Sequence, residues 1–376
     1  MPLISYKDAR PWAKAIREAV LLKRMPPWFA DPRYGKFSND HSLSEEQIKT
    51  VAAWADAGAP EGDPQSAPKP QAFTDGWTIP TPDKVLEMSG EFDVPASGKI
   101  DYQYIIVPTG FTEDKWVQMV EVRPSNRAVV HHSVIFLREP GSKWLSHAQP
   151  GVPVSGGPAD TGGAGNEILS IYTPGMVPDV WEPGTAKQVK AGTDLVIQMH
   201  YTANGKAGKD KTKVGVIFAK QPPTKRVLTL LPANTGFRIP PGDPNYRVDT
   251  RVRIPNPTEI ISFFPHMHLR GKAFEYRVTY PTGETQTLLR VDPYKFDWQL
   301  SYQVEKPVVL PAGTVFECSA WFDNSPNNPN NPDPAKEVRW GEQSWEEMMI
   351  GFVDVAIDAT WTRRDFFTPK PAGAGN

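Results

Sequence analysis

Two hydrophobic periods divide the chain. Over residues 1–62 apolar positions recur at helical spacing. Trp12, Ile16, Ala19 and Val20 fall on one face, with Asp8 expected as the N-cap and Pro11 near the start, and the run stops at "MPPW". Ser44 and Gln47 have capping-box spacing for a second helix, striped by Ile48, Val51 and Ala55 and ended by Gly58 and Pro60. Residues 63–76 read as a linker by composition. From Trp77 onward the pattern becomes short runs of β-branched and aromatic residues bounded by Gly, Pro or Asn. These are "KIDYQYIIVP", "DKWVQMVEVRP", "AVVHHSVIFL", "DLVIQMHYTA" and "KVGVIFAK", then "RVLTLLP", "YRVDTRVRIP", "EIISFFPHMHL", "FEYRVTYP", "TVFECSAWF" and "MMIGFVDVAI". A second linker, "AKQPPTKR", separates the two groups. The expected fold is therefore mainly β: two antiparallel, jelly-roll-like β-sandwich domains, 77–222 and 223–376, preceded by a small helical segment.

Composition narrows the function. The chain has 376 residues, of which 40 are proline, roughly twice the average share, which suits short strands and long loops. A formal net charge of −2 with no long run of one sign gives no nucleic-acid footprint. No apolar run approaches the roughly 18 residues of a membrane span. A single cysteine, Cys318, excludes an internal disulfide and any site built from several thiolates. Residues 1–10 lack the basic-then-apolar pattern of a signal peptide, which leaves either a cytoplasmic protein or an N-terminus beyond this sequence.

The histidines carry the candidate chemistry. There are seven, and His266 and His268 in "FFPHMHLRG" are two residues apart, so on a strand they project to one face. His131 and His132 are adjacent. In a flat strand they would point to opposite faces, and they can share a metal only across a twist or bulge, helped if one ring offers Nδ1 and the other Nε2. His200 in "VIQMHYTANG" falls in the same predicted domain, giving three imidazoles on two strands. The second domain lacks a third ligand of that type, and Cys318, Met348 or Met349 would have to supply it. A lone Cys in an apolar strand is ordinarily core, whereas a thioether beside two imidazoles is a soft set that selects Cu(I) over magnesium or calcium. His41 and His147 lie in polar, loop-like surroundings and read as surface residues.

The joint pattern "HH … QMHY … HMH … EEMM" resembles the copper type II, ascorbate-dependent monooxygenases, the family of peptidylglycine α-hydroxylating and dopamine β-monooxygenases. The stretches "VPTGFTEDKWVQMVEVRPSNRAVVHHSVIF", "AGTDLVIQMHYTANG", "PHMHLRGKAFEY" and "FDNSPNNPNNPDPAKEVRWGEQSWEEMMIGF" look like a bacterial branch of it, over about residues 75–365. The resemblance implies two coppers per chain. His131, His132 and His200 would hold the electron-storing one, and His266, His268 and Met348 the oxygen-activating one. Met348 is preferred to Met349 because the family's ligand follows an acidic pair, here Glu346 and Glu347. It also implies two sandwiches facing each other across an open, solvated cleft, O2 and a small organic molecule as substrates, and ascorbate or another small or cytochrome-like one-electron donor. Members usually work outside the cytoplasm, so a periplasmic or secreted location is expected.

Departures from the family narrow the substrate. Where the peptide-processing member has a carboxylate-binding Arg two residues before His-x-His, this chain has Phe264, and where that member has a substrate-binding Tyr, it has Phe352. An apolar substrate is expected, with Trp298, Tyr302 and Phe352 as candidates to line the cleft. Residues 9–40 resemble the tail of a cytochrome c-like module in which Met25 would be an axial candidate, but no Cys-x-x-Cys-His is present. A non-catalytic copper-binding or electron-transfer protein on the same fold would keep all the same ligands. A cupin-type iron dioxygenase is disfavoured because Lys272 and Ala273 stand where its Glu belongs, and a zinc hydrolase leaves the second site unexplained. No covalent haem is expected, so an absorbance scan of the purified chain should lack a Soret band.

Overall fold

The structure, a computed structural model, describes residues 3–67, 76–155 and 166–369. They form two compact units, one from residues 1–29 and 39–76 and the other from 30–38 and 77–376. In the first unit Ser5, not Asp8, is the N-cap. Asp8 is the third residue of a capping box, its carboxylate accepting from the Ser5 N–H at 3.1 Å while its own N–H donates to Ser5 Oγ at 3.3 Å. The chain then tightens into a 3-10 turn, Arg10–Trp12, around Pro11, and continues as Ala13–Leu21. Ser44 and Gln47 do form a capping box, and the helix Glu45–Asp56 buries Ile48 and Ala52, with Val51 and Ala55 only half-buried.

The second unit is mainly β and is built on one long sheet. Its strand order is Lys84–Glu87, Lys213–Phe218, Lys115–Arg123, Thr185–Val189, Lys225–Leu230, Ile350–Asp358, Thr258–His266 and Tyr302–Leu310, with Asp179–Val180 attached to Lys115–Arg123. This sheet crosses the boundary expected at residue 222. Lys225–Leu230 pairs parallel with Thr185–Val189 on one side and antiparallel with Ile350–Asp358 on the other. The stretch read as a second linker is thus a connection inside one unit, and the described residues do not separate there.

Two smaller sheets pack on the long one. A five-stranded sheet orders Val154–Ser155, Gln103–Pro108, Asp194–Tyr201, Val130–Arg138 and Glu167–Tyr172, and a four-stranded sheet orders Tyr246–Arg253, Val315–Phe322, Gly271–Thr279 and Thr285–Val291. Period-two alternation gives the five-stranded sheet two apolar faces. Ile105, Ile135 and Ile197 pack with Val117, Val120, Val214 and Val216 of the long sheet. Tyr104, Val134, Phe136 and Val196 look the other way and cluster with Phe264 and Phe352. Each such side chain, fully buried, contributes roughly 1.5–3 kcal/mol. The histidines sit on this second face.

The four-stranded sheet closes the opposite side of the same strands. Phe263 packs on Tyr276, ring centroids 4.8 Å apart, and the sulfur of Cys318 lies where a side chain on Gly351 would project. Cys318 is fully buried here and is core. A Cβ on Gly351 would stand 2.5 Å from that sulfur and 3.0 Å from the Tyr276 ring, so Gly351→Ala should cost about 1–3 kcal/mol by overpacking, measured as a lower urea midpoint. In a Cys318→Ala background the same change should cost less, because the two positions share one space.

Candidate metal centre

The strand pair Val130–Arg138 and Asp194–Tyr201 brings the first three histidines together. His200 is directly opposite His132, but the next residue, Tyr201, is opposite Val130, so His131 is the extra residue of a β-bulge. Without it His131 would turn toward the Ile135 face. With it the Nδ1 atoms of His131 and His132 come within 3.1 Å. The bulge thus brings the two rings to one side of the sheet. One ligand atom from each of His131, His132 and His200 lies within 4.8 Å of the others. Burial lowers the pKa of His131 to about 4 and of His200 to about 3, and with its imidazole neighbours holds His132 well below the usual range. All three rings are neutral, lone-pair donors at neutral pH.

The second group is set at the other end of the same enclosure. The strand Thr258–His266 ends at His266, so His268 lies just beyond it, in the turn. Glu347, fully buried, replaces the missing strand partner. Its carboxylate accepts from the His268 N–H at 2.8 Å and from the Arg270 N–H at 2.6 Å. Burial pushes the Glu347 pKa up to about 8, while those N–H groups and the Arg270 guanidinium pull it down. The ring tautomers follow from their outer partners. His266 Nδ1 donates to Gln299 Oε1 at 2.6 Å and His268 Nδ1 to the Glu346 carbonyl at 3.2 Å, which leaves both Nε2 lone pairs free. Gln299 is itself oriented, its amide donating to the Phe296 carbonyl at 3.2 Å.

Strand register separates the two methionines. His266 is opposite Ile350 and Phe264 opposite Phe352, so alternation puts Met348 on the histidine face and Met349 on the other. Met348 lines the same cavity as His266, whereas Met349 is fully buried away from it. His41 and His147 are exposed, as expected.

The two groups are not held apart by an open cleft. The His132 and His266 rings meet edge-on with centroids 5.7 Å apart, His131 stacks on Phe296 at 4.5 Å, and His268 meets that same ring at 6.3 Å. His132, His200, His266 and His268 are all buried. The second apolar face of the five-stranded sheet presses directly on the histidine-bearing strands, which removes the gap. Beside the cluster is a cavity of about 760 Å3 lined by His132, His266, Met348, Phe264, Phe352 and Trp144, among others. Of the three expected lining residues only Phe352 is there. Tyr302 is core on the opposite side of its sheet, against Phe37, and Trp298 packs on Gly175. Nothing local in the sequence marks Gln299, Glu347 or Phe296 as neighbours of these histidines. The acidic pair before Met348 was noted, but only as a marker of the methionine.

A metal fits these residues. His200 Nδ1 and His268 Nε2 are buried nitrogens with no hydrogen-bond partner, a costly state unless something else accepts their lone pairs. None of the six donors is a carboxylate, so the set suits a late first-row ion and not magnesium or calcium. The depressed histidine pKa values also set a pH dependence. Below about pH 6.5 the unfolded imidazoles gain protons that the folded ones refuse until about pH 4. Stability of the metal-free chain should therefore fall as pH drops through that window. Urea midpoints at pH 7.5, 6 and 5 should show the decline, and His200→Leu should make it shallower.

No family model matches the chain, and no curated protein matches it. Among solved structures, the VP2 subviral particle of infectious bursal disease virus is 10% identical at a TM-score of 0.22, over 78% of this chain and 76% of that one. The STIV MCP is 8% identical at 0.22, over 65% and 97%, and allantoicase 8% identical at 0.18, over 62% and 81%. Similarity at these scores carries no argument about this chain.

Proposed function

We propose that the chain is a copper- and O2-dependent monooxygenase that hydroxylates a C–H bond of a small, apolar organic substrate. The observation that carries this reading is that candidate ligands from both histidine groups, His132, His266 and Met348, border one cavity whose other walls are largely apolar. The overall reaction takes a substrate C–H, O2, two electrons and two protons to an alcohol and water. The two electrons come singly from ascorbate or a similar donor. Copper bound by the two trios would supply the one-electron chemistry and the activation of O2.

The chain's own residues have separable tasks. His131, His132 and His200 form an all-imidazole set. His266 and His268 present Nε2 because Gln299 and the Glu346 carbonyl hold their Nδ1 protons. Met348 adds a soft sulfur that favours the reduced ion. Phe264, Ile350 and Phe352 form an apolar wall next to His266. That wall carries no charged group, which suits an apolar part of a substrate; elsewhere the cavity borders Glu342 and Arg363. A non-catalytic copper carrier would use the same ligands but has no need of an apolar cavity of this size against them.

Metal analysis of the copper-reconstituted chain should find two coppers, and O2 uptake with ascorbate should depend on an apolar substrate drawn from a panel. Copper binding without substrate-dependent uptake would favour the carrier, and one iron or one zinc per chain would defeat both readings. Met348→Ile should abolish substrate-coupled uptake while copper stays at His131, His132 and His200. Met349→Ile, a near volume-conserving core change, should cost under about 1.5 kcal/mol and leave turnover largely intact. Glu347→Gln should weaken copper at His266 and His268 by about 10–100-fold, seen by competition with a chelator, and spare the three-histidine set.

A further inference from the structure

The cavity beside the histidines is oppositely charged at its two ends. We propose that it takes a slender, apolar monocarboxylic acid, with the carboxylate at Arg363 and the apolar end at His266 and Met348. This rests on the reading above, whose substrate it names, but the binding it describes needs no metal.

Arg363 marks the carboxylate end. It borders the cavity, and its Nη1 is buried without a hydrogen-bond partner. A buried donor without an acceptor is costly. The carboxylate whose charge acts on it, Glu167, is already engaged, accepting from Arg226 Nη2 at 2.7 Å. Arg226 is itself buried, so two guanidinium groups stand against one carboxylate. Burial lowers the Arg363 pKa, Glu167 opposes that, and the like charge of Arg226 adds to it. The Phe367 ring lies 5.4 Å from the guanidinium and offers a face but no anion. A ligand carboxylate would supply the missing charge and accept from the guanidinium fork.

Strand register gives the length. The lining residues His132, Val134 and Phe136 alternate along the strand Val130–Arg138, so the cavity follows it. Glu167, at the Arg363 end, is opposite Leu137. From position 132 to position 137 the strand rises roughly 16 Å, at about 3.3 Å per residue. Carbon–carbon bonds of about 1.5 Å in zigzag make that on the order of ten carbons. Val134, Phe136, Ile168, Phe264 and Phe352 make the walls between apolar.

The other end is acidic, and this sets the direction. Glu342 borders the cavity, with Asp101 and Glu346 as like-charged neighbours and Lys99 as the opposing cation. Burial and then the Glu342 charge raise the Tyr102 pKa, and the Tyr102 ring meets His132 at 5.5 Å. Glu342 is thus at the histidine end, where it repels a carboxylate and leaves an apolar terminus as the better fit.

Calorimetry on the metal-free full chain tests this with decanoate, 1-decanol and decanedioate. Decanoate should bind about tenfold or more tightly than 1-decanol, which has the same chain length and no charge. Arg363→Gln should remove that preference while 1-decanol stays within about threefold of wild type, and Arg363→Lys should restore part of it. Decanedioate should bind about tenfold or more weakly than decanoate, because its second carboxylate would face Glu342. Decanoate no tighter than 1-decanol, or a preference that survives Arg363→Gln, would overturn the carboxylate site. Decanedioate equal to decanoate would overturn the direction. If neither variant folds, the wild-type affinities for the three ligands still decide. Copper content and O2 uptake keep the two questions apart. Acid binding by a chain that takes up no copper defeats the function proposed above, whereas substrate-coupled uptake with neutral molecules and no preference for the acid defeats only this inference.

Discussion

A one-residue bulge is the constraint on which the histidine cluster depends. Between Val130–Arg138 and Asp194–Tyr201 the register pairs His200 with His132 and then skips to Val130. A regular ladder would send one of two adjacent side chains into each face of the five-stranded sheet, and the inner face is filled by Ile105, Ile135 and Ile197. An imidazole there would be buried among aliphatic side chains with no partner. The bulge keeps both rings on the outer face, where a third imidazole stands opposite.

That face is then pressed against a second one. Tyr104, Val134, Phe136 and Val196 share a cluster with Phe264 and Phe352, and this apolar contact brings His132 to His266. The energy that closes the site is thus ordinary hydrophobic burial, and the imidazoles trapped within it are neutral. Gln299 holds His266, the Glu346 carbonyl holds His268, and the Glu347 carboxylate holds the turn that carries His268. His200 Nδ1 and His268 Nε2 are left as buried nitrogens without a hydrogen-bond partner.

The same packing shapes what reaches the cluster. Ile350 and Phe352 belong to the strand Ile350–Asp358, which begins two residues after Met348, so the apolar wall and Met348 are neighbours along the chain. The reverse face of that strand, at Gly351, is pinned by Cys318 and Tyr276. Cavity-lining and core-facing positions therefore alternate at Ile350, Gly351 and Phe352, and a shift of one position would exchange them.

Most of the strands were legible from composition and alternation, because a strand's period is a local property. So was the condition that His131 and His132 would require a bulge; His266 and His268 do come together, but His268 lies past the strand end and is held by Glu347, not by strand alternation. The capping box at Ser44 is legible because its spacing is local, while at the first helix Asp8, a good cap by residue type, is the residue that answers Ser5. What the sequence by itself determined is a mainly β chain with five of its seven histidines in or beside its strands. Only the tertiary structure decided that one sheet runs through both halves, that the clusters touch, and that Gln299, Glu347 and Phe296 serve them. Those facts join residues tens to more than a hundred positions apart, and such contacts are chosen by how whole faces bury against each other, not by any pattern within a strand.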